Sequence, residues 1–226
     1  MEQQILVAAR EGWAAEVERL VADGADIEAV EEDDSTPLLL AAREGFEDVV
    51  LILLSAGALV DSKNCGGYLP LHWAALGGHE AVALLLLDAK ADVAAKTNVP
   101  DNGVGLGYTP LHCAAENGHA GVVKAILDAG AAVEVTDNSG STPLDLAAMG
   151  GCVAAARMLL HAGANVAARQ NEGQTPLHSG AQALGGQSAM AQLLLDARAD
   201  VAAVDLQGLT ALHWVYHKPR TLNPEP

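Results

Sequence analysis

Histidine is the residue of this chain best suited to chemistry, because imidazole can ligate a metal or transfer protons near neutral pH. The chain has eight histidines. Four of them occupy the fourth place of a recurring signature related to Thr-Pro-Leu-His, namely His72, His112, His178 and His213. These four are at least 35 residues apart and recur in register, so they are not expected to converge on one metal. We therefore predict a structural role for them.

Other candidate reactive groups lack a necessary partner. His79 begins a string like the zinc-binding H-E-x-x-H, but Ala83 stands where the second histidine is needed. Cys113 adjoins His112, yet neighbouring residues on a helix point about 100° apart, which disfavours a dyad. The alternating glycines of 103–107 lack the lysine and the strand-turn-helix context of a phosphate loop. The sequence thus predicts no catalytic residue, no cofactor and no metal, and a protein that is not an enzyme.

The signature itself recurs at a nearly fixed interval. Its second place is held by Pro37, Pro70, Pro110, Pro143, Pro176 and Ala211. The successive gaps are 33, 40, 33, 33 and 35 residues. A period near 33 is typical of helical repeats that stack into a solenoid, in which each unit buries its apolar face against its neighbours. The sequence therefore predicts an all-α helical repeat solenoid.

One unit, residues 141–173, illustrates the pattern. Thr142 is suited to cap a first helix, and Pro143 fits its first position because that position needs no N–H. Apolar residues at helical spacing predict a second helix over Val153–His161. Gly163 then fits the left-handed residue that ends many helices. Residues 165–173 are expected to form an extended turn that leads to the next repeat.

These residues resemble the ankyrin repeat. The resemblance rests on Thr109-Pro110-Leu111-His112-Cys113-Ala114-Ala115, on Gly118-His119 and on Ala129-Gly130-Ala131, and it extends over about residues 3–216. It implies a helix-turn-helix-β-hairpin stack that binds other proteins through its hairpin tips and a concave face formed by the first helices. It also implies that the signature histidines bond to loop backbone groups. In this chain the expected units are 1–34 (N-terminal capping repeat), 35–67, 68–107, 108–140, 141–173, 174–208, and 209–226 (partial repeat and tail).

The chain departs from the repeat pattern in three places. Seven extra residues fall within Asn98–Gly107, where we expect a long protruding finger, and two fall near 182–186. Lys90 and Arg198 replace the glycine that follows the second helix in other units. A side chain in left-handed geometry costs roughly 1 kcal/mol, so we expect these two repeats to be locally weaker.

The charge of the chain limits its partners. The net charge is −17, which argues against nucleic acid and anionic membrane surfaces. Residues 1–50 contain 14 acidic and 3 basic side chains, a net of −11. The densest cluster is Glu28, Glu31, Glu32, Asp33 and Asp34. It is either a solvated face or a docking patch for a partner with a basic segment.

Cysteine usage and hydropathy indicate the compartment. The three cysteines, Cys65, Cys113 and Cys152, are far apart and form no C-x-x-C pair, as expected of reduced thiols inside the cell. Only Cys65, near a hairpin tip, is expected to react with a thiol probe. The longest apolar stretch, 49–60, is too short for the ~20 residues of a membrane span. We predict an intracellular protein of the cytoplasm, with the nucleus as an alternative, and no membrane insertion.

Aromatic residues form only 3% of the chain, so their positions are informative. Trp73 and Trp214 follow the signature histidine and are expected to lie in the core. Tyr68 and Tyr108 precede the signature in adjacent repeats. If both face the concave face, they form one aromatic ledge, a favourable place for binding hot spots. The alternative is that each ring packs against its own hairpin.

The repeat register also predicts the residues that bind a partner protein. They should face solvent on the concave face or at the hairpins. The predicted set is Tyr68, Tyr108, Leu106, Glu32, Asp33, Arg43, Glu44, Leu76, Glu116, Asn117, Ser139, Met149, Glu172 and Gln174.

Two functions agree with these features. The first is a non-enzymatic scaffold or adaptor that binds another protein. The second is a targeting or substrate-recognition module of a larger enzyme or ubiquitin-ligase complex. The second rests on the C-terminal residues, where no polar second helix follows Leu209–Tyr216 and Leu212 and Trp214 are expected to be partly exposed.

Overall fold

The computed structural model describes residues 1–98, 106–182 and 188–216, and of Tyr216 the backbone alone. Helices account for the regular structure of these ranges. Their bounds are α1 Glu2–Arg10, α2 Ala14–Ala22, α3 Pro37–Glu44, α4 Glu47–Ser55, α5 Pro70–Gly77, α6 Glu80–Asp88, α7 Pro110–Glu116, α8 Ala120–Asp128, α9 Pro143–Met149, α10 Val153–His161, α11 Pro176–Gln182, α12 Ser188–Asp196 and α13 Ala211–Tyr216.

The helices form two layers. Each odd-numbered helix packs against the next odd-numbered one from α1 to α13, and the even-numbered helices do the same from α2 to α12. The two helices of a pair also pack on each other, as α3 does on α4 and α7 on α8. This stack confirms the all-α repeat solenoid expected from the sequence.

Local sequence explains where the helices begin and end. The hydroxyl of Thr36 accepts the N–H of Leu39 at 3.3 Å, and Pro37 occupies the first turn of α3. Gly45 ends the same helix with a φ of +81°. The unit 141–173 agrees with its expectation: α9 begins at Pro143, α10 covers Val153–His161, and Gly163 is left-handed with a φ of +93°.

The turns between helix pairs resemble hairpins that are too short to form a ladder. In most of them an N–H donates to the carbonyl four residues ahead, as Asp137 does to Ser141 at 3.0 Å, and in the turn with the insertion the Thr97 N–H donates to the Tyr108 carbonyl. The described residues contain one isolated bridge, Val204 to Thr210, and no longer strand. Adjacent turns are joined by one further bond per repeat, for example from the Asn171 N–H to the Ser139 carbonyl at 3.0 Å.

The expected finger at Asn98–Gly107 falls largely outside the described residues, which resume at 106. The described residues at its two ends form the same backbone hydrogen bonds between adjacent turns as the other repeats do. The Asn98 N–H donates to the Gly66 carbonyl, and the Leu106 carbonyl accepts the Asn138 N–H, both at 3.0 Å. The second insertion, near 182–186, lies outside the described residues apart from Gln182.

The core consists of small and aliphatic side chains, as the low aromatic content predicts. The even-numbered helices contribute fully buried residues at helical spacing, such as Val49 and Leu53 on α4 and Val82 and Leu86 on α6. The odd-numbered helices contribute paired alanines, such as Ala74 and Ala75, which allow close approach between neighbours. Burying one leucine or valine side chain stabilises the fold by about 1.5–3 kcal/mol.

Lys90 and Arg198 adopt left-handed backbone geometry, with φ of +69° and +66°. The glycines at the equivalent positions, Gly57 and Gly130, have φ of +91° and +94°. The sequence-based expectation of left-handed residues here is therefore confirmed. The backbone strain of these two side chains is the physical reason why we expect weaker local stability here.

We expect Lys90→Gly to raise the free energy of unfolding by about 0.5–1 kcal/mol. The substitution removes the strain of a Cβ at positive φ, and the greater freedom of glycine in the unfolded chain offsets part of the gain. Urea denaturation followed by circular dichroism measures the change. Lys90→Ala is the matched control, because it keeps the Cβ and should show no gain. Equal effects of the two substitutions would contradict the strain argument.

Candidate functional site

The signature histidines join each repeat to the next. The Nδ1 of His112 accepts the Thr109 N–H at 3.2 Å, and its Nε2 lies 3.1 Å from the Ser141 carbonyl in the following turn. His72 makes the same pair of bonds with the Leu69 N–H and the Tyr108 carbonyl. Since one nitrogen accepts an N–H, the proton must be on Nε2, and the imidazole is neutral. These bonds confirm the predicted structural role.

The histidines between the paired helices connect repeats in the opposite direction. The Nε2 of His79 bonds to the Arg43 carbonyl at 3.1 Å, and that of His119 to the Leu76 carbonyl at 3.0 Å. In the next unit Cys152 takes this place, and its Sγ lies 3.3 Å from the Glu116 carbonyl. The two units that have both histidines, 68–107 and 108–140, are thus bonded both forward and backward.

Burial lowers the pKa of His72 to about 4, because the charged imidazolium would lose its hydration. The unfolded chain has the ordinary pKa near 6.5, so between these values it binds a proton that the folded protein does not. We therefore expect stability to fall as the pH decreases from about 6.5 to 4. Urea midpoints measured across this range test the prediction. His72→Gln should flatten the slope, and an unchanged slope would contradict the assignment.

The histidine place of the signature is taken by another residue in two helices, α3 and α9. Leu39 stands in the histidine place of α3 and is fully buried. Asp145 stands there in α9, where its Oδ2 accepts the Thr142 N–H at 2.9 Å and the Thr142 hydroxyl at 2.7 Å. Burial raises the pKa of Asp145. The carboxylate of Asp145 still accepts the hydrogen bonds at the start of α9. When it is ionised, however, it has no hydrogen to donate to a carbonyl of the next turn.

Tyr108 is buried, contrary to its prediction as a solvent-facing binding residue. Its relative exposure is 6%, and its ring stacks on His112 with centroids 5.5 Å apart. Tyr108 lies beside Thr97, whose hydroxyl accepts the Tyr108 N–H at 3.0 Å. Tyr108 is therefore too buried to form the predicted ledge with Tyr68, and its ring packs on a helix residue of its own repeat.

A different aromatic contact lies on the layer of odd-numbered helices. The rings of Tyr68 and Trp73 are 5.0 Å apart between centroids, and the guanidinium of Arg43 lies 5.8 Å from the Trp73 ring. All three side chains are half-buried, so Trp73 is not the core residue that was predicted. We call Arg43, Tyr68 and Trp73 the aromatic patch. The patch spans two adjacent repeats, so Arg43 is far from the other two residues in the sequence.

Glu116 lies next to this patch on the following repeat. Its carboxyl is half-buried, and burial, with a further contribution from Asp137, raises its pKa. Burial and the nearby Glu116 also raise the pKa of Tyr68. The carboxyl of Glu116 forms no ion pair with the described residues. A cationic group from a partner would be favoured here.

The other predicted binding residues differ in exposure. Gln174 is 7% exposed and hydrogen-bonds Glu172 and Gln182, so its prediction as solvent-facing is wrong. It lies two residues before α11, whose first-turn residues are buried. The half-buried members are Asp33, Leu76 and, as above, Arg43 and Glu116. The exposed members are Glu32, Glu44, Leu106, Asn117, Ser139, Met149 and Glu172.

The acidic cluster near residue 30 has mixed roles. Glu28 accepts the Leu59 N–H at 2.8 Å and the Ser62 hydroxyl at 3.1 Å, so it joins two repeats. Glu31 is paired with Arg10, and Asp33 accepts the Ser35 N–H. Glu32 and Asp34 are exposed. The cluster is therefore partly structural and partly free to act on a partner.

The cysteines are free thiols, and they differ in accessibility. Cys65 is exposed, Cys113 is fully buried and Cys152 is half-buried. Burial raises the pKa of Cys113, which keeps it a thiol at neutral pH. Among the described residues, no three histidine, cysteine or carboxylate side chains are grouped closely enough for a metal ion. No helix in the described ranges is both long and apolar enough to cross a bilayer.

At the last described helix, Leu212 is 63% exposed, and Val215 is also exposed. Trp214 is half-buried, and its Nε1 donates to Asp205 at 2.8 Å. The expected partial exposure of Leu212 and Trp214 is thus confirmed, and the prediction of Trp214 as a core residue is wrong.

Comparisons with known proteins agree with this architecture. The family model described as Ankyrin repeats (3 copies) matches residues 5–97 and 94–170, and the one described as Ankyrin repeat matches residues 172–206. The fold is similar to the crystal structure of the human ASB11 ankyrin repeat domain. The TM-score is 0.82, with 26% identity over 96% of this chain and 92% of that one. No match was found among curated proteins.

Proposed function

We propose that this chain, which belongs to the ankyrin-repeat family, is a non-enzymatic scaffold or adaptor that binds a partner protein. Ankyrin repeats are protein–protein interaction modules, and a stack of this kind presents a long surface without a deep catalytic cleft. The binding surface is the concave face, formed by the odd-numbered helices and the turns that precede them. Leu106 and Ser139, at two exposed turn tips, extend it.

The aromatic patch carries the proposal. Tyrosine, tryptophan and arginine are the residue types most enriched at binding hot spots, and here the three are in mutual contact. Trp73 also has a buried Nε1 with no hydrogen-bond partner among the described residues. Leu76 and Met149 add apolar area on the same layer of helices. A partner that covers the patch would bury aromatic surface already held in place by neighbouring repeats.

We expect Tyr68→Ala combined with Trp73→Ala to weaken partner binding by about 30-fold, the effect of losing a hot spot worth about 2 kcal/mol. Affinity purification with mass spectrometry identifies the partner, and titration calorimetry then measures the two dissociation constants. Trp13→Ala is the matched control, because Trp13 is exposed at the start of α2 in the other helix layer. Unchanged affinity in the double variant would contradict the proposal.

A second candidate is a targeting or substrate-recognition module of a larger enzyme or ubiquitin-ligase complex. The exposed Leu212 and Val215 on α13 favour it, since an apolar helix face suits a further packed element. The test is enzymatic activity, including ubiquitin transfer, in the material that copurifies with the chain. Activity that is lost with Leu212→Ser supports this candidate. Copurified material without activity opposes it.

A further inference from the structure

An open pocket of about 610 Å³ lies at the N-terminal end of the stack, between α1 and the turn that leads to α3. Its apolar lining includes Val7 and Val30, which are 42% and 51% exposed, and the buried Leu6. Two half-exposed valines that line one pocket form a place where an aliphatic side chain could be buried. The pocket is distinct from the aromatic patch, which lies on α5 and the end of α3.

Charged groups form the rim of this pocket. Arg10 pairs with Glu31, so these two largely neutralise each other. Glu32 is exposed and forms neither a hydrogen bond nor an ion pair with the described residues. The surrounding residues 1–50 have a net charge of −11, from 14 acidic and 3 basic side chains. The rim therefore offers negative charge beside an apolar floor.

We infer that this pocket binds a short basic segment of the partner protein, with one aliphatic side chain on Val7 and Val30 and a lysine or arginine beside Glu32. The inference rests on the proposed function and specifies the chemistry of its partner. The apolar floor contributes affinity, and the acidic surroundings attract a basic segment and accelerate its association. A second copy of this chain is a poor occupant, because each copy carries a net charge of −17.

The test is an unbiased selection from a phage library of random 12-residue peptides on the immobilised whole chain. Selected peptides are synthesised, and their binding is measured by fluorescence anisotropy at low and high salt. The variants are Glu32→Lys and Val30→Ser, both at exposed positions. Glu18→Lys is the control, because it makes the same charge change on the exposed side of α2. Trp73→Ala, in the aromatic patch, is measured alongside them, and equal thermal melting of the native chain and the four variants verifies that the variants remain folded.

We expect the selected peptides to combine an aliphatic residue with lysine or arginine. Their affinity should fall at least tenfold with Glu32→Lys or Val30→Ser, fall at high salt, and be almost unchanged with Glu18→Lys. Peptides without basic residues, or peptides that bind Glu32→Lys as well as the native chain, would overturn the inference. Peptides whose affinity falls with Trp73→Ala but not with Glu32→Lys or Val30→Ser would also overturn the inference, while the proposed function would stand. Peptide affinity that is unchanged by Glu32→Lys, Val30→Ser and Trp73→Ala would count against both the inference and the proposed function.

Discussion

Replacing His112 with alanine is expected to lower the free energy of unfolding by about 3 kcal/mol. The substitution leaves the buried Thr109 N–H without its acceptor and removes one of the donors to the Ser141 carbonyl. An orphaned buried polar group costs about 1–3 kcal/mol, and the space left by the imidazole adds to the loss. Because these bonds link two repeats, the unfolding transition should also become less cooperative.

The control for this prediction is His213→Ala. His213 makes the same local bonds, with its Nδ1 3.1 Å from the Thr210 nitrogen, but it is exposed on the last described helix. Water can replace its bonds, so the expected loss is below about 1 kcal/mol. Urea denaturation of both variants measures the difference. Equal losses would mean that the burial of the inter-repeat bond is not what makes the signature histidine important.

Gly78→Ala is expected to cost about 3 kcal/mol, by a mechanism that does not involve hydrogen bonds. Gly78 has a φ of +71°, which adds roughly 1 kcal/mol of strain for any side chain. A Cβ at this position would also overlap the His119 ring of the next repeat. That ring is held by its bond to the Leu76 carbonyl, so relief of the overlap should require movement of the repeat and cost a further 1–3 kcal/mol.

Gly130→Ala separates the two contributions. Gly130 has a φ of +94°, and no atom lies within 4 Å of the position its Cβ would occupy. It therefore has the backbone strain without the overlap, and its expected cost is about 1 kcal/mol. Thermal and urea denaturation of the two variants give the comparison. A Gly78→Ala protein as stable as Gly130→Ala would show that the repeats can separate at little cost.

The sequence predicted the helices well because the relevant signals are local. A capping threonine, a proline at the first helical position and a terminal glycine act within one turn, as Thr142, Pro143 and Gly163 illustrate. The left-handed geometry of Lys90 was also predictable, because its position in the repeat requires it whichever residue is present. In a solenoid the same local pattern specifies the contact with the next unit, so the fold follows from the repeat.

The surface was less predictable, because exposure depends on what neighbouring repeats place nearby. Tyr68 and Tyr108 occupy equivalent positions, yet Tyr108 is buried on His112 while Tyr68 extends to Trp73. The repeat register cannot distinguish them, because it gives the position of each tyrosine but not the side chain on which its ring packs. Gln174 was misjudged for the same reason. Glu28 belonged to an acidic cluster in the sequence, but a bond to Leu59, 31 residues later, gives it a structural role.

The glycine between paired helices has a consequence for the curvature of the stack. A side chain from the following repeat lies against it each time: Phe46 on Gly12, His79 on Gly45, His119 on Gly78 and Cys152 on Gly118. This side chain acts as a spacer whose thickness contributes to the angle between two units. A planar ring and a single sulfur atom differ in thickness, so the angle can vary along the chain. Substitutions at this half-buried position would therefore change the curvature of the stack one joint at a time.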